Sequence, residues 1–154
     1  MGVHKTSSTL SRSKRGLTRR RADDMNEAEI AAGLARTPSY RYAQLVRNQL
    51  FIAGQVPRNS AGELVAPDDA QGQAKQCLDN LELLLSVHQF SRTDVRQLVI
   101  YVVGDQRRMQ DAWSAVTAWF TGEVPPATLL GVSRLGYEGQ LVEVDATVIK
   151  AEPT

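Results

Sequence analysis

The chain has 154 residues, of which 42% are hydrophobic and 23% are charged, and this composition suits one globular domain with a single core. The only cysteine, Cys77, excludes an intrachain disulfide and a cysteine-based zinc site. The longest apolar stretch, residues 98–103, is far short of the roughly 20 residues that cross a bilayer. We therefore expect a cytoplasmic protein without a membrane segment.

The net charge of +1 hides an uneven distribution, because residues 1–21 hold seven of the 18 basic residues and no acidic one. Such a segment fits a nucleic-acid arm, a membrane-surface segment or a targeting peptide. Its low hydrophobicity equally fits a disordered or mis-assigned start, with Met25 as the initiator. We assign the regions as follows: a basic tail at 1–24, a short helical lead-in at 25–38, one domain at 39–150 and a terminal tail at 151–154.

The first half of the chain predicts a short helix at residues 26–34, with Asn26 as its cap. Residues 40–46 and 50–53 predict a hairpin, and residues 63–65 predict a third short strand. A long amphipathic helix follows, which begins with Asp68 and Gln71 in a capping-box relation. Its apolar stripe recurs every three or four residues: Ala74, Cys77, Leu78, Leu81, Leu84, Leu85 and His88.

The second half predicts a continuous apolar strand at residues 95–103, of the kind that is covered on both faces. Asp105 predicts the cap of a second helix, and residues 129–135 and 141–149 predict two strands. The second helix has an apolar stripe of its own: Met109, Ala112, Trp113, Val116 and Phe120. On the last strand one face is shared by Val142, Val144, Ala146 and Val148.

This order of elements predicts an α+β fold, in which a mixed β-sheet carries two helices on one face. The other face of the sheet then needs cover, which favours oligomerisation. Several short strings, in this order and spacing, resemble the Rid family (also called YjgF), and they lie at residues 42–46, 51–57, 76–81, 125–128 and 142–146.

The resemblance implies that residues 39–150 form a Rid-like domain with a chorismate-mutase-like trimer architecture. It implies a homotrimer whose small-molecule ligands bind in clefts between subunits. The core family hydrolyses reactive enamines and imines, which pyridoxal-phosphate enzymes release, to 2-keto acids and ammonia. Neither a metal nor an organic cofactor is implied.

The resemblance also assigns residues to the cleft. Tyr42 matches a cleft tyrosine, and Gly54 matches a glycine whose backbone approaches the ligand closely. Ala53 replaces a cleft serine, and Trp113 stands near a helix asparagine of the core group.

The remaining assignments concern the reaction itself. Ala127 stands where the family has an arginine that grips the substrate carboxylate, and Thr128 stands where a serine follows it. Asp145 replaces the family's glutamate, and a carboxylate there is the candidate catalytic group that orients or deprotonates the attacking water. Arg58 or Arg134 could anchor a carboxylate from another direction.

Packing explains other notable residues. The apolar neighbours of Cys77 favour a buried, inert thiol, and the helical periodicity around Trp113 and Trp119 favours packing over a ligand box. His88 ends the long helix, where a cation is favourable, and without a second core histidine we expect neither a metal site nor a catalytic dyad.

Three functions therefore stay open, and the sequence leaves undecided whether the chain is an enzyme. The first is a Rid-like small-molecule-binding protein with enamine or imine deaminase activity that is weak or altered because Ala127 replaces the arginine. The second is a non-catalytic metabolite-binding or regulatory trimer. The third is an RNA-binding or endoribonuclease-like protein that uses the basic tail, although we do not expect nucleic acid as a partner.

Overall fold

The computed structural model describes residues 25–152, so the basic tail and the last two residues lie outside the described part of the chain. Its helices are α1 (Glu27–Ala32), α2 (Ala70–Val87) and α3 (Gln106–Trp119), with a short 3₁₀ turn at Arg92–Asp94. Its strands are β1 (Ala43–Val46), β2 (Gln49–Ile52), β3 (Val95–Val103), β4 (Ala127–Val132) and β5 (Val142–Ile149).

The described strands form one five-stranded sheet in the order β1-β2-β5-β3-β4. β3 and β4 are parallel, and the other neighbours are antiparallel. The chain passes from β3 through α3 to β4, as the crossover between parallel strands requires. The α+β fold with a mixed sheet and two main helices on one face is thereby confirmed.

The core lies between that sheet and the two long helices. Alternate residues of β3 and β5 point into it, and the face predicted for the last strand is confirmed, since Val142, Val144 and Val148 are fully buried and Ala146 is 9% exposed. Leu78 and Leu81 meet them from α2, and both are also fully buried. Burying such side chains contributes roughly 1.5–3 kcal/mol each.

The sheet face away from α2 and α3, which we call the open face, is only half covered within one chain. The expectation that both faces of β3 are covered is therefore met on one face, and the alternate residues Val99, Tyr101 and Val103 keep intermediate exposure. Phe51 and Val46 remain 51% and 47% exposed. One chain therefore leaves two large apolar side chains of the open face about half exposed.

The lead-in helix α1 is tied to the domain by side chains. Asn26 stands at the predicted N-cap position of α1, but its side chain makes no capping hydrogen bond. It is buried instead, where its Nδ2 donates to the Tyr40 carbonyl at 2.8 Å and its Oδ1 accepts from the Tyr42 N–H at 2.9 Å. In the middle of α1, Glu29 contacts His88 across 2.7 Å, which places the lead-in against the end of α2.

Three local predictions are wrong. Residues 63–65 form no strand, and their only pairing is an isolated bridge between Arg58 and Leu64. Asp69 caps α2, with its carboxylate accepting from the Gly72 N–H at 3.0 Å, so the box of Asp68 and Gln71 does not form. The fourth strand runs over Ala127–Val132 rather than 129–135, because it pairs with β3 from its first residue.

Within residues 25–152 no helix combines the length and the apolar character needed to span a bilayer.

Candidate functional site

The open face gathers two carboxylates on β5. Asp145 lies directly opposite Val99 of β3, and Val99 lies opposite Thr128 of β4. Residues paired across strands share a face, so Asp145 and Thr128 stand on the open face with two strand spacings of about 4.8 Å each between them. Glu143, two residues before Asp145, points to the same face by the alternation of a strand.

Asp145 is a carboxylate in partly apolar surroundings. Burial raises the pKa of Asp145 above its ordinary value, and a hydrogen bond from the Ala146 backbone opposes this effect. It forms no ion pair with any residue in the range 25–152. A carboxylate whose ionised form is partly desolvated and not neutralised by a cation is a better proton acceptor than one in water.

Glu143 is a site residue that the sequence analysis missed. A Cβ added to Gly54 would lie 2.6 Å from the Glu143 Oε2, so any other residue here would force this side chain to move. Gln140 orients the same side chain, with Nε2 donating to Oε1 at 3.2 Å. Within one chain the Glu143 carboxylate lies beside Gly54, and the expected approach of a ligand to this backbone stays a prediction. The alternation of Glu143 and Asp145 along one strand is the sequence signal that could have identified Glu143.

The structure does not bring Ala127 or Trp113 to the open face. Ala127 pairs with Leu98, which is fully buried under the helices, so the methyl group of Ala127 lies on the helix side of β4. Trp113 lies on α3 and packs partly against the core. Thr128 and Asp145 are the two predicted residues that share a cross-strand row.

Tyr42 is placed in the interior of the chain. It is 7% exposed, and its hydroxyl donates to the Ala35 carbonyl at 2.7 Å. Burial raises the pKa of Tyr42 to about 12. Ala53 continues the hairpin pairing, since its N–H donates to the Tyr42 carbonyl at 2.9 Å. Tyr42 therefore holds the lead-in in place within one chain.

Tyr40, two residues earlier, is the more accessible tyrosine. It is 37% exposed, and its ring meets that of Tyr42 edge-on with centroids 6.4 Å apart. Burial raises the pKa of Tyr40, and the neighbouring Tyr137 hydroxyl adds to the increase. The Arg58 guanidinium lies over the Tyr137 ring, 4.5 Å from its centroid. The pairing of Tyr40 with Tyr137 joins positions almost one hundred residues apart, so no local pattern indicated it.

Other reactive residues are engaged in packing. Cys77 is fully buried, and burial raises the pKa of its thiol well above the ordinary value. Trp119 is 8% exposed and lies under the Arg92 guanidinium, 3.8 Å from ring centroid to Cζ. Among residues 25–152, no group of three or more His, Cys, Asp and Glu side chains is arranged to hold a metal ion.

Comparison with known proteins finds a match between residues 33–150 and the family described as endoribonuclease L-PSP. A RutC family protein of Pyrococcus horikoshii, PH0854, is 31% identical over 114 residues, which cover 71% of this chain and 86% of that protein.

Solved structures resemble the chain in fold. The YjgF gene product of E. coli superposes with a TM-score of 0.68 at 24% sequence identity, and the alignment covers 76% of this chain and 92% of the YjgF chain. E. coli TdcF with bound serine superposes with a TM-score of 0.64 at 19% sequence identity, and the alignment covers 76% of this chain and 92% of the TdcF chain. These likenesses confirm the chorismate-mutase-like fold.

Proposed function

Because the chain belongs to the Rid (YjgF) family, which the endoribonuclease L-PSP match over residues 33–150 establishes, we propose that it binds a small carbonyl, enamine or imine compound and hydrolyses it. The reaction adds water to the C=N carbon of an imine. The C–N bond then breaks, ammonia leaves and a carbonyl compound remains.

The main support for hydrolysis is the position of Asp145. Asp145 has a raised pKa, lies on a half-covered face and has no cationic partner among residues 25–152, so it is suited to accept a proton from the attacking water. The same proton is then available for the departing nitrogen. Thr128, in the same cross-strand row, offers a hydroxyl to hold the water or the substrate nitrogen.

We also propose that the open face is closed by other copies of the chain in a homotrimer. Val46 and Phe51 are about half exposed, and covering them removes apolar area from water. The ligand would bind at the boundary between copies, near the rim of this face. The serine bound by TdcF supports a small-molecule ligand in this fold.

Ala127, whose methyl group lies on the helix side of β4, supplies no anchor for a substrate carboxylate. A methyl group cannot supply the bidentate contact that an arginine gives to a carboxylate, and each charge-assisted hydrogen bond of this kind is worth roughly 1.5–3 kcal/mol. We therefore expect weak or altered activity on the usual amino-acid-derived imines. A chain that only binds its ligand is the alternative.

The charge of the described domain argues against RNA as its ligand. Residues 25–152 contain eleven basic and fifteen acidic residues, so the domain repels a phosphate backbone. Deleting residues 1–24 should abolish any salt-sensitive RNA binding if the basic tail carries it.

The assay follows keto-acid formation from a 2-aminoacrylate-type imine, with and without the protein. We expect acceleration that disappears in Asp145→Asn and persists in Glu138→Gln, a control that removes an exposed acid near the start of β5. Sedimentation at several protein concentrations measures the assembly. Loss of acceleration in both variants, or none with the wild-type chain, would refute the hydrolytic role of Asp145 and leave the binding function.

A further inference from the structure

The Arg58 guanidinium has no acidic partner within the described part of the chain. Its Nε donates to the Gly62 carbonyl at 2.8 Å, and its Cζ lies 4.5 Å from the centroid of the Tyr137 ring. Among the residues from 25 to 152, it makes no ion pair, and neither of its terminal NH₂ groups has a hydrogen-bond partner. Four N–H donors of a partly buried cation are therefore free.

The position of this side chain is set by the loop around it. Gly62 has a φ of +80°, and a Cβ at that residue would lie 2.6 Å from the Arg58 Nη2. Asn80, buried on α2, donates to the carbonyls of Val56 and Arg58 at 2.9 and 3.0 Å. Both the backbone and the guanidinium are thus held before any ligand arrives, which lowers the entropy lost on binding.

Three tyrosines lie in the neighbourhood of the guanidinium. The Arg58 charge is close enough to Tyr40 and Tyr42 to oppose the effect of burial on their pKa values. Tyr40 keeps 37% of its surface in contact with solvent, so a small molecule can reach this cluster. The Tyr42 hydroxyl is already used by the Ala35 carbonyl, which leaves Tyr40 and Tyr137 to contribute.

The cluster adjoins the carboxylates of the open face. The Tyr137 N–H donates to the Gln140 Oε1 at 3.2 Å, and the Gln140 Nε2 donates to the Glu143 Oε1 at the same distance. Gly54 packs against that carboxylate. A ligand anchored at Arg58 would therefore extend toward the face that carries Asp145.

We infer that Arg58, which lies over the Tyr137 ring and near Tyr40, binds the carboxylate of a small organic acid. This inference rests on the proposed function, because it supplies from the loop side the anchor that Ala127 lacks. A half-buried cation without a partner is unfavourable, and a carboxylate restores its charge balance and accepts two parallel N–H bonds. One guanidinium in an acidic domain favours a monoanion over a phosphate with two charges.

The test compares pyruvate with pyruvamide, which has nearly the same shape and no charge, in calorimetric titrations of the full chain. We expect saturable binding of pyruvate and at least about tenfold weaker binding of pyruvamide. Arg58→Gln should weaken pyruvate roughly 10- to 100-fold, with Arg58→Lys between the two because an ammonium keeps the charge and loses the fork. Arg107→Gln, which removes an exposed arginine on α3, should leave the affinity unchanged.

A thermal melt of each variant separates loss of binding from loss of folding. Equal affinity of wild type and Arg58→Gln for pyruvate, no saturable binding by a folded wild-type chain, or tighter binding of inorganic phosphate would each overturn the inference. These outcomes leave the proposed hydrolysis intact if Asp145→Asn still abolishes turnover. The reverse pattern, in which binding depends on Arg58 while turnover is absent, removes the hydrolysis and keeps the anchor.

Discussion

Gln73 joins three separate segments through one buried amide on α2. Its Nε2 donates to the carbonyls of Ala66 at 3.2 Å and Gly139 at 3.1 Å, and its Oε1 accepts from the Leu141 N–H at 2.7 Å. The side chain has no solvent exposure. Since Leu141 directly precedes β5, this amide sets the point at which the strand that carries Asp145 begins.

Replacing Gln73 with methionine keeps the volume and removes all three hydrogen bonds. The Leu141 N–H is buried, and a buried donor left without a partner costs about 1–3 kcal/mol. The two carbonyls are partly buried, so water can take the place of the amide at a cost of about 0.5–1 kcal/mol each. We expect the free energy of unfolding to fall by about 2–5 kcal/mol.

Urea unfolding followed by far-UV circular dichroism measures the difference, with all variants at one protein concentration because assembly contributes to stability. Gln71→Met is the matched control, since Gln71 is exposed on the same helix and its replacement should change stability by less than about 0.5 kcal/mol. A loss below about 1 kcal/mol for Gln73→Met, at an unchanged denaturant slope, would show that these three bonds do not hold the start of β5.

Three further changes test the site and its surroundings. Because burial raises the pKa of Asp145, folding favours its protonated form, and the ionised form lowers stability at pH 7. Asp145→Asn should therefore raise the melting temperature at pH 7, by an amount that shrinks as the pH falls toward about 3.9. A constant difference between the two melting temperatures from pH 8 downward would contradict this. His88→Ala removes the side chain that lies 2.7 Å from the Glu29 carboxylate, which is 5% exposed. Urea unfolding should show a free energy of unfolding lower by about 1–3 kcal/mol, and no loss would mean that the pair does not stabilise the fold. Gly54→Ala should lower the free energy of unfolding by about 1–3 kcal/mol, because the added methyl group crowds Glu143. Most of that loss should disappear when Glu143→Ala is present as well, and additive effects of the two changes would contradict this.

Local sequence patterns are sufficient to predict the elements at the centre of the fold. The strand at Val95–Val103 was predicted with its observed bounds, because an apolar run between polar flanks needs no long-range information. Asp105 was predicted as the cap of α3, and its carboxylate accepts from the Arg108 N–H at 3.0 Å.

The site depends on pairings that local patterns do not contain. Ala127 faces the helices because β4 begins in register with Leu98, and a shift of one residue would turn its methyl group to the open face. Asn26 reads as a helix cap, yet its side chain binds the backbone of Tyr42, 16 positions away. The Tyr42 hydroxyl likewise donates to the Ala35 carbonyl in the lead-in, and the strand pattern around Tyr42 does not indicate this contact.

The last strand of the chain sits in the middle of the sheet, between β2 and β3. During synthesis β2 and β3 are made first, so each waits with one unpaired row of N–H and C=O groups until residues 142–149 leave the ribosome. The nascent domain therefore cannot close its sheet in stages from the N-terminus, and it passes through a period in which two strand edges can pair with the wrong partner. A premature stop codon anywhere before β5 would make this exposure permanent, and the shortened product would be a substrate for chaperones or proteases rather than a smaller version of the fold.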